Sequence, residues 1–133
     1  MLLPILMLVL TIGQTKSVDR PPRVVTEKEA KALLNAALPS YAHRLPGLGF
    51  EPCNDSGRFC NITVTWAAPA KSSVVVGNYA VDLSTGDVWS AVVSCSELNT
   101  PNLRRLQRQV HRRLGLTQSE YRRIKSHGPL CDQ

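Results

Sequence analysis

Aromatic residues are scarce in this chain of 133 residues, where phenylalanine, tryptophan and tyrosine together make up 5%. A surface that stacks nucleic-acid bases or sugar rings needs several aromatic side chains close together, so this composition argues against such a surface. The sequence also has no glycine-rich loop that could cradle a phosphate and no serine in a GxSxG elbow. The motifs of common phosphate-binding and hydrolase sites are therefore missing.

Histidines are few as well, and no CxxC pair occurs. His43, His111 and His127 lie far in sequence from each pair of cysteines, so we expect no zinc site. Asp82 and Asp87 flank a turn, which explains both residues structurally. His111 lies beside several arginines, where we expect it to be solvated. With no nucleophile and base in a recognisable arrangement, the sequence predicts a protein that is not an enzyme and needs no cofactor.

The longest apolar run covers residues 1–12 and is followed by a polar stretch at 13–17. A bilayer requires about 20 apolar residues, so this run is too short to span one, but it has the length of a signal-peptide core. We interpret 1–17 as a signal peptide, 18–25 as a leader and 26–133 as a single domain. A buried first strand or helix is the alternative. Export predicts a secreted or periplasmic protein.

Four cysteines form an even set in this small chain, as is typical of exported proteins that contain disulfides. Residues 54–57 have the composition of a turn, which would bring Cys53 and Cys60 face to face. That pairing leaves Cys95 to bond with Cys131. The competing interpretation, a metal site, lacks the expected ligand spacing.

Capping signals predict three helices. Thr26 and Glu29 form a capping box before an apolar stripe with helical spacing. Thr100 before Pro101 is a favourable start for a second helix, and residues 117–120 form another capping box. The sequence therefore predicts one helix near the start of the domain and two at its C-terminal end.

Between these helices the pattern is typical of strands. Residues 60–67 alternate apolar and polar side chains, and 74–83 and 88–94 flank a turn at 84–87. A short strand at 50–53 would pair with the chain from 58 onward. The expected fold is α+β: an N-terminal helix packed on an antiparallel sheet of three to four strands, then two helices, with disulfides as staples.

Positive charge is concentrated near the C-terminus. Residues 1–95 carry eight basic and seven acidic side chains, a balance of +1, whereas 96–133 carry eight basic and three acidic ones, a balance of +5. On a helical wheel with about 100° per residue, the second helix has its apolar side chains on one side and arginines on the other. The predicted binding residues are Arg104, Arg105, Arg108, Arg112, Arg122 and Arg123.

An arginine stripe with few acids near it favours an anionic partner. We interpret the chain as a non-catalytic binding module, such as a protein inhibitor or an immunity-type protein, whose basic helix docks on an acidic protein. One alternative is attachment to an anionic envelope polymer or a membrane surface through the same arginines. Another is a solvated outer face whose arginine stems cover apolar surface.

Residues 113–121, RLGLTQSEY, look like the segment that opens the helix-turn-helix of phage-repressor-type regulators. That resemblance implies nucleic-acid binding through the helical C-terminus. Such a motif continues into a recognition helix, whereas this chain reaches Gly128 and Pro129 soon afterwards. Nucleic-acid binding is therefore the lesser alternative.

Residues 24–93 resemble the PepSY-like domains, which are small secreted or periplasmic modules. The likeness rests on the helix that opens with TEKEA at 26–30 and on the hairpin VDLSTGDV at 81–88. It implies a helix packed on an antiparallel sheet and a binding or protease-inhibitory role.

Overall fold

The computed structural model describes residues 23–69, 72–91 and 95–127. The interpreted signal peptide at 1–17 lies outside these residues, as does Cys131, so the second disulfide stays a prediction. The α+β class, the antiparallel sheet and the Cys53–Cys60 disulfide are confirmed.

Three α-helices and one short 3-10 turn occur in the described ranges. They are α1 (Glu27–Ala37), the 3-10 turn (Ala42–Arg44), α2 (Pro101–Leu114) and α3 (Gln118–Lys125). Each α-helix begins after a threonine whose hydroxyl accepts a backbone N–H in the first turn: Thr26, Thr100 and Thr117. The second helix ends at Gly115, whose φ of 65° is left-handed and favours a residue without a Cβ. These boundaries follow from the local sequence.

The sheet has six strands in the described residues, where the sequence predicted three to four. They are β1 (Gly49–Phe50), β2 (Asn54–Ser56), β3 (Phe59–Ala67), β4 (Ser73–Asp82), β5 (Val88–Ser90) and β6 (Ser96–Glu97). Five lie side by side in the order β1-β3-β4-β5-β6, β2 pairs with β3, and all pairs are antiparallel. The predicted number is too low because β2 and β6 are only three and two residues long, too short to show an alternating pattern.

The segment between the two bonded cysteines is a hairpin, so the predicted turn at 54–57 is wrong. Residues 54–56 form β2 and pair with the start of β3. The turn lies at Gly57 and Arg58 instead, where Gly57 has a φ of 70°. The short strand expected at 50–53 is also misplaced, because β1 pairs with Val64 and Thr65. The Cys53 and Cys60 Cα atoms remain only 5.1 Å apart.

One hydrophobic core joins α1 and α2 to one face of the sheet. Alternate residues of β3 are buried and belong to the same cluster as buried leucines of both helices. The segment before α1 also joins this core, because Val25 is buried and its N–H donates to the Leu83 carbonyl at 2.8 Å. The main core side chains are Leu33, Leu34, Cys60, Ile62, Val64, Val81, Val88, Leu103 and Val110.

Candidate functional site

The turn between β4 and β5, residues 83–87, supports both C-terminal helices. From α2, the Gln107 side-chain amide donates to the Gly86 carbonyl at 3.2 Å. The His111 Nε2 lies 2.7 Å from the Thr85 carbonyl, and since a carbonyl can only accept, this nitrogen carries the hydrogen. His111 is therefore half-buried against the turn and is not the solvated side chain that the sequence suggested.

A buried carboxylate organises that turn from inside. Asp82 is 2% exposed and accepts the Ser84 N–H at 2.8 Å and an Arg58 guanidinium N–H at 2.6 Å. Gly86, whose φ is 77°, donates its N–H to the Asp82 carbonyl at 2.7 Å. The sequence explains Asp82 only by its place beside the turn. The structure shows that Asp82 also forms a buried ion pair with Arg58, which lies 24 positions earlier.

A chain of polar side chains holds α3, which buries none of its residues completely. The Tyr121 hydroxyl donates to the Asp87 carboxylate at 2.9 Å, and Lys125 Nζ contacts both that hydroxyl, at 3.1 Å, and the Glu97 carboxylate. The Tyr121 ring also lies 4.7 Å from the His111 ring, measured between centroids. These contacts fix the orientation of α3 against the turn.

The pKa values of Asp87, Tyr121 and Lys125 reflect the burial of these side chains and their hydrogen-bond partners. Burial raises the pKa of Asp87, although hydrogen bonds from Tyr121 and Thr85 oppose that shift. Burial, followed by the nearby Asp87 charge, raises the pKa of Tyr121 to about 12. Burial would lower the pKa of Lys125, but its bonds to Glu97 and Tyr121 outweigh burial and raise it. Lys125 therefore stays charged and is paired with Glu97 within the protein.

Helices α1 and α2 are joined at both ends of their contact. The Thr100 hydroxyl accepts the Leu103 N–H at 3.1 Å as an N-cap and also donates to the Ala36 carbonyl at 2.7 Å. At the other end, the Arg113 guanidinium donates to both Glu29 carboxylate oxygens, one of them at 2.6 Å. The two helices are thus held in a fixed relation.

Replacing Thr100 with valine should destabilise the protein by about 2 kcal/mol, because it removes both a helix cap and a hydrogen bond between helices. The matched control is Thr117→Val, which removes a cap on α3 but no contact between helices and should cost about 1 kcal/mol. Urea unfolding measures both. Equal losses for the two variants would contradict the bridging role of Thr100.

The Glu29–Arg113 pair predicts an acid-sensitive contribution to stability. Burial tends to raise the pKa of Glu29, but hydrogen bonds from Arg113 and Thr26 outweigh it and hold that pKa below its ordinary value of 4.5. A carboxyl whose pKa is lower in the folded state stabilises the fold above its unfolded pKa and loses this effect as pH falls.

We therefore expect Glu29→Gln to reduce the free energy of unfolding at about pH 7, and we expect this deficit to shrink as the pH falls below 4.5. Urea unfolding across this range measures the difference. The control Glu51→Gln changes an exposed carboxylate and should leave the pH profile of the wild type unchanged. A deficit of E29Q that stays constant with pH would refute the proposed role of the ionised pair.

All six arginines predicted to bind a partner lie at exposed positions. On α2, with Leu103 set to zero on a wheel of about 100° per residue, four of them fall between about 100° and 200°, opposite the core. The other two lie on α3, which follows α2 after the short segment 115–117. These four α2 arginines, named here the arginine stripe, are Arg104, Arg105, Arg108 and Arg112.

In the described part of the chain, acidic side chains form no ion pairs with these six arginines. Within the described ranges, the ion pairs formed by basic residues of the C-terminal helices involve Arg113 and Lys125, and none involves the six predicted arginines. Most described acids already have partners within the protein. Those in ion pairs are Glu27, Glu29, Asp82 and Glu97, and those held by other hydrogen bonds are Asp87 and Glu120.

The described part of the chain gives no indication of a metal centre or a membrane span. No group of three or more His, Cys, Asp or Glu side chains there is placed to hold a metal ion. None of its helices is long and apolar enough to cross a membrane. The feature that sequence analysis missed is the polar support from residues 82–87 to α2 and α3, because its partners lie up to 34 positions apart.

No protein-family model matches the sequence, and no curated protein matches it. Among solved structures, the chain is similar to one chain of a type VI secretion system effector–immunity complex from Pseudomonas protegens. The likeness has a TM-score of 0.60 and 25% sequence identity, and it covers 77% of this chain and 88% of that chain. The fold that carries the arginine stripe is thus also found in a component of an effector–immunity complex.

Proposed function

We propose that this protein is an immunity-type binding module that is not an enzyme and that neutralises a protein effector by forming a complex with it. The observation that carries the proposal is the likeness to a chain of an effector–immunity complex, which extends over most of both chains. That likeness supports a protein partner and an immunity role, and the surface supports our inference about the chemistry of the partner.

The side chains best suited to chemistry favour the immunity role over the effector role. His111, Tyr121 and Asp87 lie together, but each is held by a structural contact: His111 to a backbone carbonyl, and Tyr121 to Asp87. A general base must be able to reach a proton on a substrate. Nε2 of His111, the Tyr121 hydroxyl and the Asp87 carboxylate are directed at the protein itself, which supports a structural role for these groups.

The charge distribution supports an acidic partner. The arginine stripe is exposed, and its guanidinium groups are not paired with carboxylates in the described residues. Arginine is enriched at protein interfaces because its planar fork pairs with carboxylates and its stem covers apolar surface. We infer that the partner presents carboxylates to α2, with Arg122 and Arg123 of α3 at the margin of the contact.

An exported location is part of the proposal. The Cys53–Cys60 disulfide supports an oxidising compartment, since disulfides are rare in proteins that stay in a reducing cytosol. The apolar run at residues 1–12, which we interpret as the core of a signal peptide, also supports export. A secreted or periplasmic protein would meet an effector delivered to the cell envelope.

The test is capture of the partner from the native envelope with the oxidised, affinity-tagged protein, followed by light scattering on the purified complex. A saturable one-to-one complex with a protein, stable at moderate salt, is the expected result. The proposal would be overturned if polymer, lipid or nucleic acid were recovered in a complex that dissociates progressively as the salt concentration rises. That result would favour nonspecific electrostatic attachment.

A further inference from the structure

A groove runs along the outer side of the seam between α1 and α2. Its wide part is a cavity of about 620 Å³ between the end of α1 and the start of α2, and a second cavity of about 220 Å³ continues toward the Glu29–Arg113 pair. Ala32 and Leu106 line both cavities, so the two form one continuous feature. The wide part has the volume of a typical ligand-binding cleft, about 300–1,000 Å³.

The groove is open because small side chains face it from α1. Ala32 and Ala36 are one helical turn apart on that helix, and each presents only a methyl group toward α2. The Thr100–Ala36 and Arg113–Glu29 hydrogen bonds clamp the two ends of the seam. A partner would therefore meet a preformed groove, which lowers the entropic cost of binding.

The walls of the groove combine apolar surface with positive charge. Leu106 and Ala36 are half-buried in its floor, while Arg105 of the arginine stripe stands exposed at its edge and supplies the positive charge. The acidic residue in its lining is Glu29, whose carboxylate is already bonded to Arg113. The charge complementary to this groove is negative.

We propose that the groove receives a short segment of the partner protein in which carboxylates flank an apolar side chain. The apolar side chain would pack on Ala32, Ala36 and Leu106, and the carboxylates would pair with Arg105 and the neighbouring arginines of the stripe. This inference rests on the proposed function and deepens it, because it states which feature of the effector the protein recognises.

The test is titration calorimetry with the captured partner and two variants that each add a phenylalanine at an exposed position. Ala32→Phe fills the part that both cavities share, whereas Ser73→Phe adds the same ring on β4, away from the groove. We expect A32F to weaken binding by about tenfold or more, as steric exclusion of a buried anchor would. S73F should stay within about twofold of the wild type.

Because A32F keeps every arginine, the salt dependence of its remaining binding should match that of the wild type. If A32F binds as tightly as the wild type while the stripe variant described below does not, the groove proposal fails and the proposed function stands. If both variants bind normally, docking through the arginine stripe fails as well. If no protein partner is captured, the proposed function falls and this inference falls with it.

A cross-linking experiment keeps the proposal testable if A32F folds poorly. A photoreactive phenylalanine analogue replaces Asn35, which is exposed and lines the groove, and the cross-linked peptide is identified by mass spectrometry. A partner segment with acidic residues around an apolar one is the expected product. A cross-link to another copy of this chain, to its own termini or to a segment without acids would overturn the proposal.

Discussion

Changing Arg104, Arg108 and Arg112 together to glutamine should weaken binding of the partner by about a hundredfold. Arginines at the centre of an interface often contribute more than about 1 kcal/mol each, and 1.4 kcal/mol corresponds to a tenfold change in affinity. The free energy of unfolding should stay the same or rise slightly. Each arginine lies four positions from the next, where like charges destabilise a helix by about 0.2–0.5 kcal/mol per pair.

The matched control removes three positive charges elsewhere: Arg23, Lys28 and Arg44, all exposed, become glutamine. Both triple variants lower the net charge by the same amount, so calorimetry separates a local arginine surface from a general effect of charge. We expect the control to lose less than about fivefold in affinity, mainly through slower association. Equal losses in the two variants would show that net charge, and not the α2 stripe, attracts the partner.

Arg58→Met should lower the free energy of unfolding by about 3–5 kcal/mol, the largest stability effect that we expect from one substitution at an ion pair. Asp82 is 2% exposed, and Arg58 supplies two guanidinium hydrogen bonds to its carboxylate, at 2.6 and 3.0 Å. Without Arg58 this charge stays buried and keeps only the Ser84 N–H as a side-chain partner. The turn that supports α2 and α3 would then lose its internal anchor.

Lys31→Met is the control for this prediction, because the Lys31–Glu27 pair lies at the surface, where such pairs contribute about 0–1 kcal/mol. Urea unfolding compares the two variants. The double variant Arg58→Met with Asp82→Leu should recover part of the loss, since no unpaired charge is left behind. If R58M and K31M were equally stable, the buried pair would not be an anchor of the turn.

The helix boundaries were predictable because their signals are local. Thr26 with Glu29 and Thr117 with Glu120 form the two capping boxes within four consecutive residues, and Gly115 ends α2 in a left-handed conformation. The exposure of the arginine stripe also followed from helical periodicity alone. Such features depend on neighbours along the chain.

The contacts that position the site were not predictable, because they join residues far apart in sequence. Arg113 bonds to Glu29 across 84 positions and Tyr121 to Asp87 across 34, and no local pattern selects these partners from other acids and bases. Strand β2 was missed because its polar residues resemble a turn. The PepSY-like resemblance and the Cys95–Cys131 bond remain predictions.

The most direct test of the immunity role is a growth assay. The captured partner is produced in a bacterial host, directed to the periplasm, alone or together with this protein or with the Arg104, Arg108 and Arg112 glutamine variant. We predict that the partner alone arrests growth, that the wild-type protein restores it and that the triple variant does not. Growth that is unaffected by the partner, or equal rescue by both forms of the protein, would contradict neutralisation through the arginine stripe.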